Sequence, residues 1–215
     1  MKKLILILLL APAVTFSQVS IGGHVGASTY FADETHPENE GIGFQIETQA
    51  ANINAGLDLE IGIGKRFGIR TGIEYMNRDF SGTPFCFYCL SPIDGGGGLF
   101  PGILETENVK QHYLEVPLAL TFDIIQHNKF RLTGSAGIQA GINFRKSDPE
   151  FDFPSYEPYK YSSSVIAGAE VGFKAGKKIE LTAGVNYLHG IPISNYYNPN
   201  SIGANLGILF NLGKN

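Results

Sequence analysis

The chain has 215 residues, a formal net charge of −4, 27 glycines, two cysteines and no tryptophan. The slight acidity and the lack of any basic stripe exclude nucleic acid as a partner. The length suits one domain, and no apolar run approaches the about 20 residues that a membrane-spanning helix needs.

The first element reads as an export signal. Met1-Lys2-Lys3 is a positive start, Leu4 to Leu10 is wholly apolar, and small residues follow up to Ser17. Cleavage is expected after Ser17, so residues 1–17 form a signal peptide and residues 18–215 the mature domain. No cysteine follows the cut, which argues against a lipid anchor.

Eight segments with a strict two-residue alternation follow. The first is Val19 to Phe31, where Val19, Ile21, Val25 and Ala27 oppose Ser20, Gly22, His24 and Gly26. The second, Asn52 to Gly64, sets Ile53, Leu57, Leu59 and Ile61 against Asn54, Gly56, Asp58 and Glu60. In the third, Phe67 to Phe80, Phe67, Ile69, Ile73 and Tyr75 oppose Gly68, Arg70, Gly72 and Glu74. The fourth, Val109 to Asp123, sets Leu114, Val116, Leu118 and Leu120 against Tyr113, Glu115, Pro117 and Thr121.

The fifth, Phe130 to Arg145, is the most regular: Phe130, Leu132, Ala136, Ile138, Ile142 and Phe144 alternate with Arg131, Thr133, Ser135, Gln139, Asn143 and Arg145. Tyr161 to Lys174, Lys178 to His189 and Ser201 to Leu212 repeat the pattern. A strand throws successive side chains to opposite faces, so each segment has one apolar and one polar face.

Connections alternate in length. Lys65-Arg66, Gln126-His127-Asn128 and Ala175-Gly176-Lys177 are tight turns; Ala32 to Ala51, Ser81 to Asn108, Lys146 to Lys160 and Gly190 to Asn200 are long. Exported chains with short turns on one side and long loops on the other are built as outer-membrane barrels. The expected fold is all-β, an eight-stranded antiparallel up-and-down transmembrane β-barrel in the outer membrane, with the apolar parity against lipid. Aromatics agree: Phe67, Phe122, Phe130, Phe173 and Phe210 fall beside the tight turns, and Phe31, Tyr75, Phe144, Tyr161 and Tyr187 at the opposite ends, as two interfacial girdles. The rival is a soluble barrel or sandwich with the apolar parity inside. Its water-facing parity would be rich in Lys, Glu and Thr, whereas here Gly, Ser and Asn crowd it. Small residues suit a narrow lumen filled by side chains.

That inward parity carries Asp58, Glu60, Arg70, Glu74, Glu115, Arg131, Arg145, Glu170, Lys174 and Glu180. Mixed signs imply a lumen closed by an ion-pair network, because buried charges persist when paired. The alternative, a narrow conduit for ions or small solutes, calls for a ring of one sign. A third class is a lipid-modifying enzyme using His24, His112 or His189 with Ser28 or Ser164 and Glu115 or Glu170. No nucleophile-elbow motif supports it, so no catalytic residue, cofactor or metal is assigned.

Cys86 and Cys89 would suggest a redox pair or half a zinc site in the cytosol. In an exported chain they are expected to close a local loop disulfide, with a metal site as the alternative. Gly95 to Gly98 is not a phosphate loop, since no Lys-Ser or Lys-Thr follows. Ser81 to Pro101 is unusually apolar for a loop, which fits either packing over the barrel mouth or a docking surface.

Tyr113-Leu114-Glu115-Val116-Pro117 resembles a run found in the PorT-like outer-membrane barrels of Bacteroidetes, and the signal peptide end Phe-Ser-Gln is similar to those of flavobacterial exported proteins. The resemblance implies an eight-stranded barrel of the envelope and a role as an accessory of type IX protein secretion. Pro117 lacks a ladder donor and is expected at a bulge or weak pairing point. Glu115 is expected to pair with Arg70 or Arg131. Together these readings describe a non-enzymatic protein with a structural or interaction role, with outer-membrane lipid and envelope or secretion-machinery proteins as partners.

Overall fold

The computed structural model of the protein describes residues 18–31, 42–47, 52–86, 102–103, 107–146, 160–191 and 200–213. The strands are β1 (Val19–Phe31), β2 (Ile42–Glu47), β3 (Asn52–Ile63), β4 (Phe67–Asn77), β5 (Phe80–Cys86), β6 (Gly102–Ile103), β7 (Glu107–Val109), β8 (Gln111–His127), β9 (Phe130–Lys146), β10 (Tyr161–Lys174), β11 (Ile179–Gly190) and β12 (Asn200–Asn211). Eight of them close a barrel in the order β1-β12-β11-β10-β9-β8-β4-β3, every neighbouring pair antiparallel. Closure pairs both edges of every strand, so no barrel edge is left open.

The alternation sets the faces. Leu57, Leu120 and Leu206 are 70%, 66% and 65% exposed, whereas Glu74 and Glu115 are buried. Apolar residues therefore cover the outside and polar ones the inside. So large an apolar belt has no place in water and suits hydrocarbon, where a closed barrel satisfies all its backbone groups internally. Phe67 and Phe122 pack at 5.0 Å, and Phe130 and Phe173 at 5.2 Å, beside the tight turns. At the other end Tyr75, His112 and Phe144 cluster, and the Tyr75 hydroxyl lies 2.7 Å from His112 Nδ1.

Two irregularities adjust β8 against β9. One shift lies between His112 and Tyr113, where Phe144 is the extra residue; the other lies between Asp123 and Ile125. The second bulge lets the consecutive Ile124 and Ile125 both face outward, 51% and 55% exposed, which unbroken alternation forbids. Neither bulge falls at Pro117, which pairs in register with Gln139. On its other side the ladder from β4 to β8 is interrupted between Thr71↔Leu118 and Glu74↔Glu115, with one register throughout. Pro117 is thus a weak pairing point and not a bulge. Thr71 Oγ1 donates to its carbonyl at 2.8 Å, which partly replaces the missing ladder bond.

Several sequence-based boundaries are corrected. The third strand ends at Asn77, and Phe80 begins β5 in a second sheet; Val109 belongs to β7, which pairs with β5. The fourth barrel strand runs on to His127 because the bulge carries it further. The stretches Ala32 to Ala51 and Ser81 to Asn108, read as loops, contain a small sheet of β2, β5, β6 and β7. Those strands are short and lack the clean alternation that marks the barrel. The expected signal peptide and Cys89 lie outside the described residues; Cys86 ends β5.

Candidate functional site

The inward face forms three tiers, beginning next to the tight turns. Arg131 on β9 reaches Glu60 on β3 at 2.6 Å, Glu180 on β11 at 2.8 Å and Asp123 on β8 at 3.6 Å. Arg70 on β4 takes the other oxygen of Glu60 at 2.8 Å and grips Glu170 on β10 with two bonds of 3.0 and 2.7 Å. Two guanidinium groups therefore tie together strands from opposite walls. Arginine suits this task, since its planar fork offers several donors and can serve two carboxylates at once.

The middle tier centres on His24. Its Nδ1 lies 2.7 Å from Asp58, and its Nε2 lies 3.5 Å from Glu74. Asn54 donates to Glu74 at 2.6 Å. The ladder sets Glu74 directly opposite Glu115, two buried carboxylates of like charge. Gln139 stands between them, with its side-chain amide donating to Glu74 at 3.2 Å and also to Glu115.

In the outermost tier Arg78 meets Glu115 at 2.5 Å, and Ser162 donates to the same oxygen at 2.7 Å. The Arg78 guanidinium lies 4.4 Å over the Tyr113 ring and 5.8 Å from that of Tyr30. Aromatic faces thus take part of the place of water around a cation that is only 4% exposed.

Glycine makes room for these charges. A Cβ at Gly141 would stand 2.5 Å from Glu115 Cγ, and one at Gly172 would stand 2.0 Å from Glu180 Oε1. The small residues on the inward parity are the space that the ion pairs fill.

Of the residues expected in the lumen network, Asp58, Glu60, Arg70, Glu74, Glu115, Arg131, Glu170 and Glu180 stand in these tiers. Lys174 faces Glu180 across the ladder and lines a cavity beside the tight turns. Arg145 stands opposite His112 in the backbone register of β9. Glu115 pairs with Arg78 and not with Arg70 or Arg131, because those two forks are already engaged by Glu60, Glu170 and Glu180. Sequence reasoning passed over Arg78 and Asp123, and gave Gln139 a place on the polar face without a role. Arg78 and Asp123 lie on the inward parity of their segments, so extending each alternation to its end finds them.

The histidines do not converge. His24 faces two carboxylates, His112 stacks on Tyr75 at the outer surface, and His189 is exposed. Glu115 is taken up by Arg78, Gln139 and Ser162. A nucleophilic triad needs hydroxyl, imidazole and carboxylate in one chain of hydrogen bonds, and here a second carboxylate sits where the hydroxyl would be. Among the described residues no group of three His, Cys, Asp or Glu is placed to hold a metal ion.

Among solved structures, the chain is similar to the outer membrane protein OprG of Pseudomonas aeruginosa, at 11% identity, with 92% of this chain and 96% of that chain covered and a TM-score of 0.51. It also matches Ail, the attachment invasion locus protein of Yersinia pestis, at 15% identity, 91% and 97% coverage and a TM-score of 0.47. Neisserial surface protein A matches at 9% identity, 89% and 96% coverage and a TM-score of 0.49. At these identities the OprG likeness bears on the fold alone. No curated protein matches the sequence. The family model described as outer membrane protein beta-barrel domain matches residues 13–194. With a closed eight-stranded barrel that is apolar outside and charged within, the chain belongs to the outer membrane protein beta-barrel domain family and resides in the outer membrane.

Proposed function

We propose that this protein is a non-enzymatic barrel whose lumen is sealed by its own ion pairs and whose role is structural or interactive, at the two ends of the barrel. The observation that carries this is Arg70 and Arg131 joined through Glu60 and extended to Glu170 and Glu180 across the lumen. Such a network leaves no single-sign ring for a conduit to use. Residues 1–17 act as its signal peptide and residues 18–215 form the mature barrel domain. Outer-membrane lipid is its surrounding partner, and envelope proteins bind its ends.

The finer reading is a PorT-like barrel serving as an accessory of type IX secretion. Its support is the Tyr113-Leu114-Glu115-Val116-Pro117 run, whose Glu115 and Pro117 both hold defined places in the lumen wall. The test is the secretome of a deletion strain beside wild type and a complemented strain. Loss of proteins carrying type IX sorting domains, with other exported proteins unchanged, is the expected result. An unchanged secretome removes the secretion role and leaves an envelope scaffold.

A further inference from the structure

The turn end of the barrel gathers charges that are far apart in sequence. Lys65 and Arg66 lie between β3 and β4, Lys177 and Lys178 lie between β10 and β11, and Lys174 and Arg131 project inward from β10 and β9. These six line one cavity of about 250 Å³. The carboxylates in its wall are Glu60, Asp123 and Glu180, and each of them lies within 3.6 Å of Arg131. Glu60 is further engaged by Arg70. Among the described residues, no ion pair involves Lys65, Arg66, Lys174, Lys177 or Lys178. Six cations against three committed carboxylates leave a surplus of positive charge in a concave, polar space, which concentrates anions.

Acidic residues concentrate elsewhere along the sequence. The stretches 32–51, 81–108, 147–159 and 191–199 hold twelve of the 20 acidic residues and not one of the 16 Lys and Arg residues. The basic cavity is therefore a local feature of one end and not a reflection of overall composition.

We propose that this cavity is a binding site for a phosphate-bearing anion. The lysines supply charge, Arg66 supplies a fork suited to phosphate oxygens, and Gln18, Ser20, Thr121 and Asn211 in the same wall supply neutral hydrogen-bonding groups. Phe67 and Phe122 mark the membrane interface at this level. A phospholipid headgroup and a soluble phosphate compound can both reach it.

The experiment uses the mature protein in phosphatidylcholine nanodiscs. Sodium pyrophosphate is titrated calorimetrically, and a parallel sample in mixed phosphatidylglycerol and phosphatidylcholine is analysed by native mass spectrometry for retained lipid. The variant is Lys174→Gln with Lys177→Gln and Lys178→Gln; the control is Lys110→Gln with Lys160→Gln at the other end. One pyrophosphate or one phosphatidylglycerol per chain is expected, weakened at least about tenfold in the triple variant, which removes three of the six positive charges lining the cavity. The control is expected to match wild type, and a triple Lys→Arg variant to retain binding, which separates loss of charge from misfolding. Pyrophosphate alone points to a soluble ligand and phosphatidylglycerol alone to a headgroup. Absence of both, or equal weakening in variant and control, overturns the proposal.

Discussion

At the scale of single residues, the lumen depends on cations matched to buried carboxylates. Glu115 has no exposed surface and meets Arg78, Gln139 and Ser162. Replacing Arg78 by Leu strands that carboxylate, and a buried charge stripped of its partner costs about 3–5 kcal/mol. Urea unfolding of Arg78→Leu in lipid vesicles is expected to lose about that much stability. The double variant Arg78→Leu/Glu115→Leu is expected to regain most of it, because no charge is then left unpaired; a double variant as weak as the single one refutes the pairing account. Glycine gives a second contrast. Gly141→Ala drives a methyl against Glu115 and is expected to cost about 1–3 kcal/mol. At Gly176 no atom lies within 4 Å of the added Cβ, so Gly176→Ala is expected to stay within about 0.5 kcal/mol of wild type in the same assay.

At the scale of elements, the membrane fixes a side for every strand residue. Leu120 faces outward near the middle of β8, and Thr121 beside it faces in. Leu120→Arg is expected to cost about 2–4 kcal/mol in vesicle refolding, the penalty of a cation at hydrocarbon depth. An effect near zero there would mean that Leu120 is not in lipid. This period-two rule is also why the barrel strands were legible in the sequence: Phe130 to Arg145 alternates without a break, and β9 spans Phe130–Lys146. Where the rule bends, legibility ended. The bulge at Asp123/Ile125 places two isoleucines on one side and lengthens β8 beyond the point where alternation stops. Strands β2, β5, β6 and β7 are only 6, 7, 2 and 3 residues long and pair with one another by backbone register, too short a run for alternation to mark. Charges such as Glu60, Arg70 and Arg131 were legible as facing inward, since parity alone selects a face. Their partners were not, since Arg78 reaches Glu115 by lying along the wall over Tyr113, a path set by three-dimensional packing.

At the scale of the molecule, an even number of antiparallel strands returns both ends of the barrel sheet to the side of the short turns. Outer-membrane barrels keep short turns in the periplasm. In a background free of native cysteine, a cysteine at Lys160 is expected to react with a membrane-impermeant maleimide on intact cells. One at Gly176 is expected to react only after the outer membrane is opened. The reverse labelling would invert the barrel and, with it, the assignment of the basic cavity to the periplasmic face. The proposed seal is a property of the whole barrel, since its arginines join β3, β4, β9, β10 and β11 at once.

The most direct test of that seal is electrical: single-molecule conductance of the purified barrel in planar bilayers, beside the double variant Arg70→Ala/Arg131→Ala. The wild-type barrel is expected to insert without discrete current steps, and the variant, freed of both cross-lumen ties, to show small ones. Steady ohmic steps from the wild-type barrel would contradict a closed lumen and make the protein a conduit.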